Sequence, residues 1–286
     1  MIEYRLKKLR NNFKSLGIDG YVVPKNDEYF SEYSEFNRLQ IISNFSGSAG
    51  YAIILKNKNY LFVDGRYTLQ AQIESSKNFE IVDYKKIINC NLFKNLTLGI
   101  NSKLFSSEQI KRYFLKNNKV KIINLDLIEK ILRKKTKETK PFFSLNKNIV
   151  GEDFKSKIKK TCDYLKKIRS NYFFISAPEN VSWLLNIRGF DNPNSPICNC
   201  HLFLDQKKNF FLIAKKSKIK NLLNEKKINL QQIIEPNEFS SLINKYKNGS
   251  VLIDSHTCSI FCEKILSKKF KILRKEDPIY KFKSIK

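Results

Sequence analysis

The chain has 286 residues, enough for two hydrophobic cores, and its 42% hydrophobic and 13% aromatic content excludes a disordered protein. The formal net charge of +27 suggests nucleic-acid binding, but only nine of the 54 basic residues are Arg, and the Lys residues are scattered along the sequence. Specific readers of nucleic acid concentrate Arg, whose planar guanidinium group binds guanine edges and phosphates. We therefore expect no specific nucleic-acid partner.

The sequence predicts a cytoplasmic protein without membrane contact. No apolar run approaches the roughly 20 residues that span a bilayer, and the amphipathic N-terminus lacks the apolar region of a signal peptide. Cys198 and Cys200 are spaced too closely for a structural zinc site and lack a second pair. We expect the six cysteines to be reduced and buried.

The first half of the chain predicts an alternation of helices and strands that begins with a helix ended by Gly17. In order, the predicted elements are a helix over 2–16, a strand over 20–24, two strands joined by the polar turn 56–59, a helix over 68–73, strands over 79–82 and 96–100, a further helix, and a last strand ending near Asn124.

The second half repeats this pattern about 150 residues later. Residues 51–55, 56–63 and 119–123 return as 201–205, 206–213 and 269–273. The matching elements are a helix over 158–168, a strand over 172–175, two strands around the turn 206–209, a helix over 219–223, strands over 228–233 and 251–253, a helix, and a last strand ending near Arg274. An offset kept over so much of the chain predicts two domains of one fold.

Each half is therefore expected to be an α/β domain whose mixed sheet is flanked by helices. Residues 133–140 suggest a charged helix end, and Pro141–Ser144 an extended linker. We accordingly predict a first domain over residues 1–144 and a second over residues 145–286.

Three segments carry a resemblance to a known family: Arg38–Gly50, Asp64–Gln70, and Trp183–Gly189 followed by Asp191, Pro193 and Pro196. In this order and spacing they resemble the two tandem, creatinase-N-like domains at the N-terminus of long, three-domain Xaa-Pro aminopeptidases (aminopeptidase P). The sequence departs from the family pattern at Asn44, where Gly is usual, and at Tyr29, where His is expected.

Arg66 is the one candidate site residue. Asp64-Gly65 at the end of an apolar strand predicts a turn that projects the Arg66 side chain from a rigid strand end. An ion pair between Arg66 and Asp64 or a nearby Glu is the structural alternative. The resemblance implies that Arg66 binds the peptide substrate, and a guanidinium group suits this role because it can hold a carbonyl or carboxylate with two parallel hydrogen bonds.

The resemblance also implies where the chemistry takes place. In the family a third, pita-bread domain holds two divalent metal ions, usually manganese, with two Asp, one His and two Glu. The segment 277–286 resembles the entry to that domain, while His201 and His256 lie in no metal-ligand pattern. We expect this chain to bind no metal, to lack the catalytic domain and to be inactive alone.

The resemblance implies a peptide with proline second as substrate, and a homodimer. Because the catalytic domain is expected to be missing, a separate catalytic chain is a further candidate partner. The expected role is that of a non-catalytic region of a metal-dependent Xaa-Pro aminopeptidase that serves dimerisation and shapes the substrate entrance. The alternative is a stand-alone peptide-binding or interaction module without hydrolase activity. Metal-ligand residues encoded directly downstream would favour the enzyme.

Overall fold

A computed structural model of the chain describes residues 1–34, 36–88, 90–132 and 140–285. The chain forms two compact units, Met1–Thr136 and Lys137–Lys286, and each is described by itself. Within the described residues, no helix is both long and apolar enough to cross a membrane.

The described part of the first unit is built around a six-stranded sheet. Its helices are α1 (Ile2–Arg10), α2 (Phe13–Leu16), α3 (Arg38–Ser43), α4 (Thr68–Ser75), α5 (Ser107–Tyr113) and α6 (Leu127–Ile131). Its strands are β1 (Gly20–Pro24), β2 (Gly50–Leu55), β3 (Asn59–Val63), β4 (Glu80–Asp83), β5 (Thr97–Asn101) and β6 (Lys119–Ile123).

Five of these strands run in the same direction. The strand order is β4-β3-β2-β1-β5-β6, and only the pairings of β2 with β1 and β3 are antiparallel. Apolar side chains of α1 and α3 pack with one face of the sheet, as in the buried Leu9, Leu39 and Ala52. The carboxyl ends of β1, β3, β4, β5 and β6 therefore meet at one edge, which we call the carboxyl edge.

The described part of the second unit repeats this arrangement. Its helices are α7 (Lys147–Val150), α8 (Phe154–Lys167), α9 (Pro178–Leu185), α10 (Lys220–Asn224), α11 (Phe239–Asn244), α12 (Ile260–Ser267) and α13 (Pro278–Ser284). Its strands are β7 (Phe143–Ser144), β8 (Tyr172–Ile175), β9 (Ile187–Arg188), β10 (His201–Asp205), β11 (Phe210–Ile213), β12 (Ile233–Ile234), β13 (Gly249–Ile253) and β14 (Phe270–Arg274).

The main sheet of the second unit has the order β12-β11-β10-β8-β13-β14. Numbered along its own unit, each six-stranded sheet reads 4-3-2-1-5-6, and in each only the second strand runs opposite to the others. The prediction of two α/β domains of one fold, each with a mixed sheet and flanking helices, is confirmed.

Residues 141–144 need a correction, because they are part of the second unit and not a linker. Phe142 is fully buried in the core of that unit, and its backbone N–H donates to the Lys218 carbonyl at 2.6 Å. Phe143 and Ser144 form β7, which pairs with β9. A predicted boundary after residue 144 therefore lies too far along the chain. The predicted charged helix end at 133–139 lies outside the described residues.

The predicted strand over 228–233 is also wrong in most of its length. Residues 230–232 form one turn of 3₁₀ helix, and only Ile233 and Ile234 pair as a strand. The cause is local: the Asn229 side chain caps the turn, and the Gln232 side-chain oxygen accepts a hydrogen bond from the Asn229 N–H at 2.9 Å. These side-chain bonds compete with a sheet ladder.

The prediction for the cysteines is confirmed. All six cysteines are buried free thiols, and burial raises the pKa of Cys198 and Cys200.

The end of α9 is fixed by two polar residues. Asn186 ends α9 in the left-handed conformation and is buried, and Arg188 donates to the Ser182 carbonyl at 3.1 Å.

Candidate functional site

The candidate site lies at the carboxyl edge of the first unit, where β3 and β4 end side by side. Val63 pairs with Asp83, and the chain after Val63 turns through one 3₁₀ turn over Gly65–Tyr67 into α4. This edge is where open α/β sheets generally bind ligands, because backbone and side-chain groups from several strand ends converge there.

Arg66 projects from this edge as expected, and 76% of its side chain is exposed. The Asp64 carboxylate accepts hydrogen bonds from the Arg66 backbone N–H at 3.1 Å and from Nε at 2.8 Å. Asp64 thus caps the turn and holds the base of the guanidinium group. Within the described residues, the terminal nitrogens of Arg66 make no hydrogen bond, so they are available for a ligand.

The ion pair that sequence analysis kept as the structural alternative is therefore present. The bond from Arg66 lowers the pKa of the Asp64 carboxyl, and Asp64 raises the pKa of Arg66. An ion pair this exposed contributes little to stability, because water screens both charges. The pair orients the guanidinium group and leaves its outer side free.

Tyr67 anchors the turn to the loop that joins α3 to β2, residues 44–49. Its ring packs edge-to-face on Phe45 at 6.0 Å, and its hydroxyl lies 2.7 Å from the Ser48 hydroxyl. The loop needs its small residues: a Cβ at Gly47 would lie 2.2 Å from the Phe45 ring, and one at Gly50 would lie 2.8 Å from the Phe62 carbonyl oxygen. The loop therefore supports Arg66 through Tyr67.

A second set of bonds ties the same loop to α4. The Ser46 N–H and hydroxyl both donate to the Glu74 carboxylate, at 2.8 and 2.7 Å, and the Gln70 amide donates to the Ser46 oxygen. Gly65, in contrast, has no heavy atom within 4 Å of the place a Cβ would take. The loop and α4 are thus bonded to each other on one side of the Arg66 turn, while the surface beside Gly65 is open.

The two departures from the family pattern have structural roles. Asn44 ends α3 with φ 70°, a left-handed conformation in which Asn is the usual replacement for Gly. Asp27, two residues before Tyr29, is buried and accepts backbone N–H bonds from Tyr29 and Ser31, both at 2.9 Å. Burial raises the pKa of Asp27 to about 6. Position 29 therefore lies on a fixed turn after β1.

Sequence analysis missed the buried cations of the described residues, which are Arg38, Lys157 and Lys218. Arg38 pairs with Asp126, which is 88 residues away, at 2.6 Å. Lys157 donates to Asn186 Oδ1 at 2.6 Å and lies 4.0 Å from the Trp183 ring centroid, so Trp183 is partly core and partly a cation contact. No sequence pattern marks either pair, because each is made by tertiary packing.

Metal ligands are the remaining feature to locate. Across residues 1–34, 36–88, 90–132 and 140–285, no three or more His, Cys, Asp or Glu side chains are grouped so that they could hold a metal ion.

Comparison with known families matches both units to the same description. Residues 5–134 and residues 132–286 each match a creatinase/prolidase N-terminal domain. The chain belongs to the creatinase/prolidase N-terminal domain family. It carries two such domains in tandem, and the predicted resemblance is confirmed.

Relatives of this tandem are Xaa-Pro aminopeptidases. The chain is 30% identical over 230 residues to Xaa-Pro aminopeptidase 1 of Dictyostelium discoideum, covering 72% of this chain and 37% of the relative. It is 30% identical over 225 residues to aminopeptidase P2 of Arabidopsis thaliana, covering 72% of this chain and 32% of that relative. The chain thus spans about a third of the length of the curated relatives it matches.

A solved structure has a similar fold over most of the chain. The crystal structure of X-prolyl aminopeptidase from Caenorhabditis elegans, described as a cytosolic enzyme with a di-nuclear active site, matches 96% of this chain and 50% of that chain. The TM-score is 0.82 at 19% sequence identity, which supports the fold of the tandem.

Proposed function

We propose that this chain is the non-catalytic N-terminal region of a metal-dependent Xaa-Pro aminopeptidase in the cytoplasm, where it contributes to dimerisation and shapes the substrate entrance. The observation that carries the proposal is the match of two consecutive domains to one family, together with 30% identity to Xaa-Pro aminopeptidases over 225–230 residues. The substrate is a peptide whose second residue is proline.

Within this function Arg66 is the residue that contacts the peptide. Its exposed side chain stands at a sheet edge, its base is held by Asp64, and its terminal nitrogens point to no partner among the described residues. A preoriented guanidinium group loses little conformational entropy on binding, so it can grip a peptide carbonyl or carboxylate efficiently. Cleavage itself is assigned to a separate catalytic region that holds two manganese ions.

The test compares three preparations acting on a short Xaa-Pro peptide in the presence of manganese: this chain alone, a catalytic region of an Xaa-Pro aminopeptidase alone, and the two fused or mixed. We expect release of the first residue only where the catalytic region is present, and faster release when this chain accompanies it. Robust, chelator-sensitive release by this chain alone would contradict the assignment of a non-catalytic role.

A stand-alone peptide-binding module is the second candidate, and the free outer side of Arg66 favours it, because this side is available without a catalytic region. Calorimetric titration of the purified chain with the same Xaa-Pro peptide separates the two candidates. Saturable binding that Arg66→Ala abolishes supports the module. Its absence, together with stimulation of the catalytic region, supports the enzyme.

A further inference from the structure

A large groove opens on the second unit. It lies between residues 150–159, which include the first turns of α8, and residues 225–232, which follow α10. It encloses about 1320 Å³, which exceeds the roughly 300–1,000 Å³ of usual small-molecule pockets. Its size therefore suits a stretch of polypeptide better than a small metabolite.

The first unit has the same two walls but holds them together. There α1 takes the place of α8, and the chain after α4 takes the place of residues 225–232. Arg10 donates to the Asn59 side chain at 2.7 Å, Asn59 donates to the Asn78 carbonyl at 2.8 Å, and Asn78 donates to Glu3 at 3.5 Å. In the described part of the second unit, no hydrogen bond joins α8 to residues 225–232. The second unit instead joins these walls through the Lys227 ammonium, which packs on the Phe154 ring of α8, so the walls are linked more loosely there than in the first unit.

The rim of the groove is basic. The lysines that line it are Lys155, Lys159, Lys208, Lys226 and Lys227. Lys227 lies 4.4 Å from the Phe154 ring centroid, and no salt bridge within the described part of the chain involves any of the five.

The carboxylates that line the groove are mostly engaged. Asp153 caps α8 by accepting from the Lys155 and Ser156 N–H groups, and Glu152 accepts from the Ser156 hydroxyl at 2.7 Å. Glu225 is the third carboxylate of the lining. The side chains of Asn229 and Gln232 each accept a hydrogen bond from the other residue's backbone N–H. The lining thus carries five ammonium groups against three carboxylates, two of which already accept hydrogen bonds.

Between the polar groups of the lining lie several apolar side chains. Val150 and Phe154 are partly buried in the wall, and Ile158, Phe210 and Ile228 lie beneath them. Burial of a ligand's aliphatic side chains against these residues is favourable, by roughly 25 cal/mol per Å² of apolar surface removed from water. A nucleic acid would gain little from it, since nucleic-acid sites rely on Arg and on exposed aromatic faces for stacking.

We propose that this groove of the second unit binds an acidic peptide segment of a partner protein, with carboxylates at the lysine rim and aliphatic side chains between the walls. The lining of the groove does not include Arg66, and the proposed binding does not depend on peptide hydrolysis.

The test measures fluorescence anisotropy of a short labelled peptide in which Glu and Leu alternate, added to the full chain at physiological ionic strength. The variant Lys155→Glu/Lys159→Glu/Lys226→Glu should raise the Kd by about tenfold or more. The matched control, Lys264→Glu/Lys268→Glu/Lys271→Glu, changes the net charge equally at exposed lysines in and between α12 and β14, outside the groove lining, and should leave the Kd within about twofold.

A second peptide with Ser in place of Leu tests the apolar walls, and it should bind at least about fivefold more weakly. Equal weakening by both triple variants would show that net charge alone drives binding, and would overturn the proposal. Equal affinity for the Ser peptide, or for an oligothymidylate of similar charge, would overturn it as well. Circular dichroism of each variant confirms that the fold is retained.

Discussion

The two units place an aspartate at the same position and give it different partners. In the first, Asp126 caps α6 after the last strand and pairs with Arg38 of α3. In the second, Asp277 caps α13 after the last strand and accepts from the Asn180 amide of α9 at 2.7 Å. One fold thus accommodates a buried ion pair or a buried carboxyl–amide pair at a single place.

The difference in partner changes the environment of the carboxyl group. Arg38 is 4% exposed and also approaches Glu28 and Glu129, at 3.4 and 3.5 Å, so its charge is shared by three carboxylates. Asp277 is 2% exposed; burial raises its pKa to about 7, although the bond from Asn180 opposes the shift. A neutral partner satisfies the hydrogen bond but does not offset the cost of a buried charge.

The largest effect is expected from removing the cation of the first unit. Arg38→Ala leaves Asp126 without its buried partner and should lower the free energy of unfolding of that unit by about 3–5 kcal/mol. Asn180→Ala, the matched change in the second unit, removes the hydrogen bond to the buried Asp277 carboxyl and the one that Asn180 accepts from Lys283, and should cost about 1–3 kcal/mol.

Both effects can be assigned to a unit. Trp183 is the single tryptophan of the sequence, so its fluorescence during urea unfolding reports the second unit, while hydrogen exchange of β1 and β2 peptides reports the first. Equal costs for the two substitutions would show that the ion pair is no more important than the amide pair, contrary to this comparison.

A smaller effect is expected at Arg66, which has Lys216 as its counterpart 150 residues later. Arg66→Ala should reduce kcat/KM of a reconstituted enzyme roughly ten- to hundredfold, or about 1.5–3 kcal/mol, because a charge-assisted hydrogen-bonding group is lost. Lys216 is half exposed and lies 3.5 Å from Glu238. Lys216→Ala should leave kcat/KM within about twofold.

The Arg66 result also separates a binding role from a structural one. Arg66→Lys should restore little activity, because an ammonium group lacks the planar fork. Thermal melting of all three variants provides the control. A lower Tm with normal activity per folded molecule would assign Arg66 to stability and remove it from the substrate site.

The smallest effect concerns pH and Asp277. The native carboxyl keeps its proton up to about pH 7, whereas the unfolded one loses it near about pH 3.9, so the folded state binds more protons between these values. Stability of the second unit should therefore fall as pH rises, by about 1.4 kcal/mol between pH 6 and 8. Trp183 fluorescence in urea at each pH measures this loss.

Asp277→Asn should remove this slope, since an amide does not titrate. Asp27, whose pKa is raised to about 6, belongs to the first unit and leaves the Trp183 signal unaffected. A slope that persists in Asp277→Asn would assign the pH dependence to another group and erase the predicted difference between the two aspartates.

The strand pattern of both units could be predicted from sequence, because buried strands such as Tyr172–Ile175 are apolar runs. The repeat also shows each run twice. Sequence reasoning also placed Arg66 at a strand end from the Asp-Gly turn. It could not reach Arg38–Asp126 or Asn180–Asp277, whose members are 88 and 97 residues apart and meet only through packing. Residues 230–232 were mispredicted because a side-chain cap overrode apolar content.

The uneven distribution of cysteines allows thiol labelling to distinguish local opening of the first unit from that of the second. Cys90 is 5% exposed and is the one cysteine before residue 137, whereas Cys162, Cys198, Cys200, Cys258 and Cys262 follow it. A brief pulse of alkylating reagent labels a thiol only while the structure around it is open. A single label per molecule, mapped to Cys90, would then indicate transient opening of the first unit. Labels at any of the other five cysteines would indicate opening of the second unit.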